Sequence, residues 1–196
     1  MAANLRVEPG RRIEGRRVCV FTASAEPIDP RYLDLAARVG SEMSRRGMDL
    51  VTGGGRVSTM GAIARAVRAG GGHTVGVIPR GLYAAELADT DADELIVTAD
   101  MRQRKGLMDA KSDAFLVLPG GIGTVEELVE VWVSRALDMH RKPIVVLDPW
   151  GDLGGLRELI VDLHRRGFVR REVLDEVEWT ASMNRALDAI EGAWSS

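Results

Sequence analysis

The sequence predicts an α/β protein, a single doubly wound domain in which a mainly parallel sheet is flanked by helices. Strand-like and helical segments take turns along the whole chain. The strand-like segments are continuous apolar runs, as in a sheet covered on both faces, and not the alternating pattern of a half-solvated antiparallel sheet. Glycine clusters follow two of those runs, where the loops of a parallel sheet gather around ligands. A length of 196 residues suits one domain, and no repeat or internal linker divides it. The domain is expected over residues 17–196. Residues 1–16 are polar and aperiodic and are expected to form a flexible tail, with Arg11, Arg12 and Arg16 offset by Glu8 and Glu14.

The first strand is expected at Val18-Cys19-Val20-Phe21. A helix follows, capped by Asp29, with Pro30 in its first turn and Leu33, Ala36, Val39 and Met43 at helical spacing. Gly47 stands where it should stop. The second strand, Leu50-Val51-Thr52, runs into Gly53-Gly54-Gly55, and a helix from about Thr59 to Ala69 ends at another glycine triplet. Thr74 to Ile78 is a third strand closed by Pro79. Tyr83 to Leu87 reads as a short helix, Leu95-Ile96-Val97 as a strand and Met101 to Lys111 as a polar helix. Ala114 to Leu118 is the most apolar strand, and a long helix follows from about Thr124 to Met139. Ile144 to Leu147 is a strand, and Leu153 to Arg165 a helix. The remainder holds one or two short elements and a last helix near Met183 to Ile190.

Composition narrows the function. A formal net charge of -3 argues against a general nucleic-acid-binding surface. A single cysteine, Cys19, excludes a disulfide framework and a cysteine metal site, and three scattered histidines supply no ligand cluster. No apolar run approaches the ~18 residues of a membrane span, and the N-terminal region lacks the apolar stretch of a secretory signal. The expectation is a cytoplasmic protein without a metal or a membrane anchor. Cys19 is expected in the core, His140 as a cationic helix cap, and Trp132 in the core or a dimer contact. Trp150 is placed either at the cleft border or over the sheet edge.

Ligands of open parallel sheets bind at the carboxyl ends of the strands. The Gly53-Gly54-Gly55 loop lets backbone approach a ligand, which makes Gly54 and Gly55 candidate contacts, although a tight turn explains them equally well. Leu118-Pro119-Gly120-Gly121-Ile122-Gly123-Thr124 is more telling. It joins the most apolar strand to the longest helix, so its N–H groups and the positive end of the helix form a phosphate cradle. Gly120, Gly121, Gly123 and Thr124 are its candidate residues. No Lys-Ser or Lys-Thr pair follows, so it is not a Walker loop. The first strand ends in Thr22-Ala23-Ser24-Ala25, without the glycines of a dinucleotide fingerprint. Glu126 and Glu127 lie in the first helical turn, where a carboxylate can reach the ribose of a nucleotide and act as carboxylates do in glycoside hydrolysis. Met101-Arg102-Gln103-Arg104-Lys105 opens the preceding helix, where an arginine fork can hold phosphate or sugar oxygens. Met60 and Met101 flank these loops and suit the lining of a pocket for a flat base.

These motifs resemble those of a known family. Pro119-Gly120-Gly121-Ile122-Gly123-Thr124-Val125-Glu126-Glu127 matches the pattern PGGxGTxxE, and Met101 to Lys105 looks like M-x-x-R-K. Both belong to the cytokinin riboside 5′-monophosphate phosphoribohydrolases, the "lonely guy" family, whose bacterial members were often mislabelled lysine decarboxylases. Gly53-Gly54-Gly55…Met60-Gly61 and Gly76-Val77-Ile78-Pro79 fit as well, and the likeness spans roughly residues 17–180. It implies a Rossmann-like fold, a homodimer, and hydrolysis of the N-glycosidic bond of N6-modified adenosine monophosphates to free base and ribose 5-phosphate. It implies Arg104 and Glu127 as the catalytic pair, Gly120, Gly121, Gly123 and Thr124 as the phosphate loop, Lys105 as a substrate contact and Glu86 as a further one. No cofactor is implied, and no lysine lies in a setting that suggests a Schiff base to pyridoxal phosphate. The chain departs from the family at Thr22-Ala23-Ser24-Ala25, where a Cys-Gly-Ser-Ser-like turn is usual, and at Val133, where a threonine is common. Two other readings share the same residues: a nucleotide-binding or sensing module without turnover, and a phosphoribohydrolase acting on AMP or another purine monophosphate.

Overall fold

The computed structural model describes residues 15–85 and 87–195. Residues 1–14 of the expected tail and the candidate contact Glu86 therefore lie outside the described residues.

Seven parallel strands form one sheet, and eight helices connect and cover them among the described residues. The elements are β1 (Arg17–Phe21), α1 (Pro30–Arg45), β2 (Asp49–Thr52), α2 (Ser58–Ala69), β3 (Thr74–Pro79), α3 (Arg80–Ala84), β4 (Glu94–Thr98) and α4 (Met101–Ala110). They continue with β5 (Ala114–Val117), α5 (Ile122–Ala136), β6 (Ile144–Leu147), α6 (Gly154–Arg165), α7 (Arg171–Asp175), β7 (Val177–Thr180) and α8 (Met183–Trp194). The strand order β4-β3-β2-β1-β5-β6-β7 bears out the doubly wound parallel reading. The chain builds outward from β1 to β4, then returns to the other side of β1 with β5. In register, Phe21 of β1 faces Val117 of β5. That reversal opens a crevice at the carboxyl ends of β1 and β5.

The central strands are apolar throughout because both sheet faces are covered. Val18, Val20, Leu50, Leu116 and Val145 point into one core with α1, α2 and α8. Cys19, Phe21, Val51, Phe115, Val117 and Val146 point into the other, which Met108 of α4 and Leu128, Val131 and Trp132 of α5 complete. Trp132 is thus a core residue, its indole N–H donating to Val173 O at 2.7 Å. Burial pushes the Cys19 thiol well above its ordinary range, so it is an inert core group.

Local signals set most boundaries. The Asp29 carboxylate accepts from Arg31 N and starts α1 at Pro30. Gly47, at φ +72°, ends it with Gly47 N donating to Ser44 O and Met48 N to Met43 O.

Some boundaries differ from expectation. The short helix spans Arg80–Ala84 rather than Tyr83–Leu87: extended Pro79 starts it at once, and Leu87 O instead accepts from Arg56 N. The long helix begins at Ile122 and ends at Ala136. Asp138, at φ +60°, closes it by the same pair of bonds as Gly47, with Met139 N donating to Ser134 O. His140 does bind the helix, Nε2 lying 3.0 Å from Val131 O, but burial lowers its pKa. The ring packs on Phe115, and its burial disfavours the charged form that a cationic cap needs. Trp150 stands edge-on to Tyr32 at the start of α1, with Arg31 stacked on both rings, and does not border the cleft described below.

Candidate active site

The glycine loop leaves β5 beside Phe21, whose carbonyl accepts from Leu118 N at 3.0 Å. A Cβ on Gly120 would lie 2.2 Å from Thr124 Oγ1, so only glycine lets the loop fold over that threonine. Gly121 occupies the N-cap position of α5, and no side chain caps the helix. The first N–H groups of α5 therefore point outward with the positive end of the helix dipole, which is the arrangement that holds a phosphate. Added Cβ atoms on Gly121 and Gly123 would meet nothing within 4 Å. Their smallness leaves space at the cradle and is not demanded by packing.

Glu127 lies one turn into α5. Arg104 comes from α4, whose start is set by reciprocal bonds: Asp100 Oδ1 accepts from Gln103 N, and Gln103 Oε1 accepts from Ala99 N. The two side chains meet with Arg104 Nη1 2.9 Å from Glu127 Oε1, at 6% and 8% exposure respectively. Arg104 Nε also donates to Val77 O of β3 at 3.1 Å, which fixes the plane of the guanidinium. Burial raises the Glu127 pKa above the ordinary carboxylate value, and the charge and hydrogen bond of Arg104 pull against that rise. A carboxylate poised in this way can take a proton or face a developing positive charge.

The two parts open onto one cleft of about 330 Å³, lined by Thr22 to Ala25, Met60, Leu82, Met101, Arg104, Gly121 to Thr124, Glu126 and Glu127. Of the candidates, Arg104, Glu127, Gly121, Gly123, Thr124 and Met101 meet there, and Gly120 shapes the loop. Lys105 turns away. It pairs with Glu126 and Glu130 of α5 and borders a separate cavity of about 60 Å³ beneath Glu127. Gly54 and Gly55 also stand outside the cleft lining. Gly54 O accepts from Asp89 N, and Gly55 bridges to Ala88, so they fasten the β2 loop to the β4 side of the sheet. Val133 faces outward, and Arg102 is exposed on the solvent side of α4. A larger groove, about 600 Å³ between α6, α7 and β7, contains neither the glycine loop nor the buried ion pair, so size does not mark this site.

Gly53 is the residue sequence reasoning missed. A Cβ there would sit 1.8 Å from Arg104 Nη2, so this glycine makes room for the guanidinium. The glycine triplet was the available signal, but only the long-range approach of Arg104 tells Gly53 from its neighbours. The hydrogen bond between Thr22 and Thr59 that fastens the first loop was also invisible in the sequence.

Comparison with known proteins agrees with this architecture. The family model described as "Possible lysine decarboxylase" matches residues 60–190. A Mycobacterium marinum protein named cytokinin riboside 5′-monophosphate phosphoribohydrolase is 48% identical, over 93% of this chain and 95% of its own. A Mycobacterium tuberculosis protein of the same name is 49% identical, over 88% of this chain and 91% of its own. Among solved structures, a molybdenum cofactor binding protein from Rippkaea orientalis superposes with a TM-score of 0.70 over 91% of this chain and 96% of that one. At 22% identity that likeness speaks for the fold alone.

Proposed function

The chain belongs to the family of the cytokinin riboside 5′-monophosphate phosphoribohydrolases, and from that premise we propose that it hydrolyses N6-modified adenosine 5′-monophosphates to the free base and ribose 5-phosphate. The observation that carries the reading is the buried Arg104–Glu127 pair beside the uncapped start of α5. The 5′-phosphate sits on the N–H groups of the Gly121–Thr124 turn. The ribose then lies over the first turn of α5, within reach of Glu127. As the C1′–N9 bond breaks, positive charge grows on the sugar, and the Glu127 carboxylate stabilises it. Water adds its oxygen to C1′, and its proton passes to Glu127 and on to the departing base. Arg104 holds Glu127 in place and has only the N–H groups left over from Val77 and Glu127 to offer to sugar oxygens. Met60, Leu82 and Met101 give the cleft an apolar rim that suits an apolar N6 substituent and favours modified nucleotides over AMP.

The same reading takes the protein as a homodimer in the cytoplasm, with residues 17–196 as the catalytic domain and 1–16 as its tail. Val133, Leu137 and Met139, at and just beyond the end of α5, are exposed apolar residues, and Ile122 at its start is 90% exposed, which supports a second copy packing along this helix. Among the described residues no helix is long and apolar enough to cross a membrane. The test is chromatography of free base from a panel of nucleoside monophosphates, with N6-isopentenyladenosine monophosphate and AMP at its centre. Release from the modified nucleotide supports the reading, and release from none of the panel overturns it.

A further inference from the structure

Thr22 and Thr59 make a contact that the reaction just described does not use. Thr22 follows β1 at the strand reversal, next to the residue that receives Leu118 N, and so lies at the root of the glycine loop. It is buried and lines the cleft. Its Oγ1 lies 2.7 Å from Thr59 Oγ1, and Thr59 Oγ1 in turn donates to Ala23 O at 2.9 Å. A threonine hydroxyl has one proton and two lone pairs. Ala23 O can only accept, so the Thr59 proton is committed to it, and the donor between the two hydroxyls is Thr22. The protons therefore run in one direction, from Thr22 to Thr59 to Ala23. Thr22 Oγ1 is left with accepting capacity only, on a residue that lines the cleft. Thr59 is buried behind it, outside the cleft lining, so a ligand does not reach Thr59 to reverse the order.

We propose that Thr22 reads the sugar: its Oγ1 accepts a hydrogen bond from a ribose hydroxyl of the bound nucleotide, and Thr59 is the positioning residue that keeps Thr22 an acceptor. This rests on the nucleotide reading above. The root of the glycine loop adjoins the phosphate end of the ligand, and the O–H donors at that end are those of the sugar. A site built to accept from a hydroxyl discriminates against the analogue that lacks it.

The test compares a ribonucleotide substrate with its 2′-deoxy and 3′-deoxy analogues in wild type, Thr22→Val, Thr22→Ser, Thr59→Val and Thr59→Ser. The wild type should prefer the ribonucleotide over one analogue by about tenfold in kcat/KM, the scale of one neutral hydrogen bond. Thr22→Val should lose about that much on the ribonucleotide and almost nothing on that analogue, so the preference collapses. Thr59→Val should weaken the same preference, because Thr22 then keeps a proton free to turn into the cleft, and both serine variants should retain it. An equal loss on ribo- and deoxyribonucleotides in Thr22→Val would mean that the hydroxyl serves a water or only the fold, and the proposal falls. Calorimetric binding of AMP and of the deoxy analogues to the same proteins separates this from the hydrolase reading. A sugar preference that collapses in Thr22→Val without any turnover supports Thr22 and sinks the hydrolase. Turnover with a preference unchanged in Thr22→Val does the reverse.

Discussion

Arg104 is buried where its three partners come from three different elements. Val77 of β3 accepts from its Nε, Glu127 of α5 from its Nη1, and Gly53 after β2 leaves the space its Nη2 fills. A lysine brings the charge without the fork and cannot make the first two bonds together. Arg104→Lys should therefore lower turnover by about 10²-fold or more, the scale on which misplacing a positioning group acts. Arg102→Lys, on the exposed side of the same helix, should leave it unchanged. Both substitutions preserve net charge, so assays of free-base release on the pair isolate geometry, and a damaging Arg102→Lys with a silent Arg104→Lys would refute the assignment. The raised pKa of Glu127 has its own consequence. In the proposed reaction the carboxylate acts ionised, so activity should be lost as pH falls through its raised pKa. The acid limb of kcat/KM should thus lie above the ordinary Glu value of about 4.3. A pH profile whose acid limb falls at or below that value would contradict the placement.

At the scale of elements, α5 presents the uncapped start that the proposed function uses as an anion site, and α4 brings Arg104 to Glu127. An uncapped helix start led by glycines gains from a bound phosphate, so a riboside lacking the 5′-phosphate should be hydrolysed far less efficiently than its monophosphate. Steady-state rates on the two compounds decide this, and equal kcat/KM values would remove the cradle from the account. Elements with local signals were legible in the sequence: the apolar runs of β1, β5 and β6, the Asp29 cap, the Gly47 stop and the PGGxGTxxE turn. The missed details depend on partners far away in the chain. Lys105 follows Arg104 directly, yet α5 presents Glu126 and Glu130 to it, and it pairs with both beside the second cavity. The early start of α3 follows from Pro79, which reads in sequence as the end of a strand and serves in the fold also as the cap of a helix.

Across the whole molecule, the order β4-β3-β2-β1-β5-β6-β7 brings the site together. The loops after β1 and β5 meet at the reversal, and the helix before β5 packs Arg104 against the helix after it. Alternation of strands and helices was enough to expect a doubly wound parallel sheet with a cleft at the strand ends, but not the order of its strands. Which side chains face that cleft depends on packing that periodicity does not encode, as Gly53 and the outward-facing Val133 illustrate. The central claim is that binding and bond cleavage use separable parts of one crevice: backbone N–H groups hold the phosphate, and the charge on Glu127 lowers the barrier. Glu127→Gln keeps the shape and removes the charge. Turnover of N6-isopentenyladenosine monophosphate and its equilibrium binding should be measured on this variant and on wild type. The account predicts that hydrolysis is nearly abolished while affinity stays within about tenfold, since the carboxylate matters most in the transition state. Retention of more than about a tenth of wild-type turnover by Glu127→Gln, well inside the 10²-fold or larger losses expected when a transition-state charge stabiliser is removed, would contradict it.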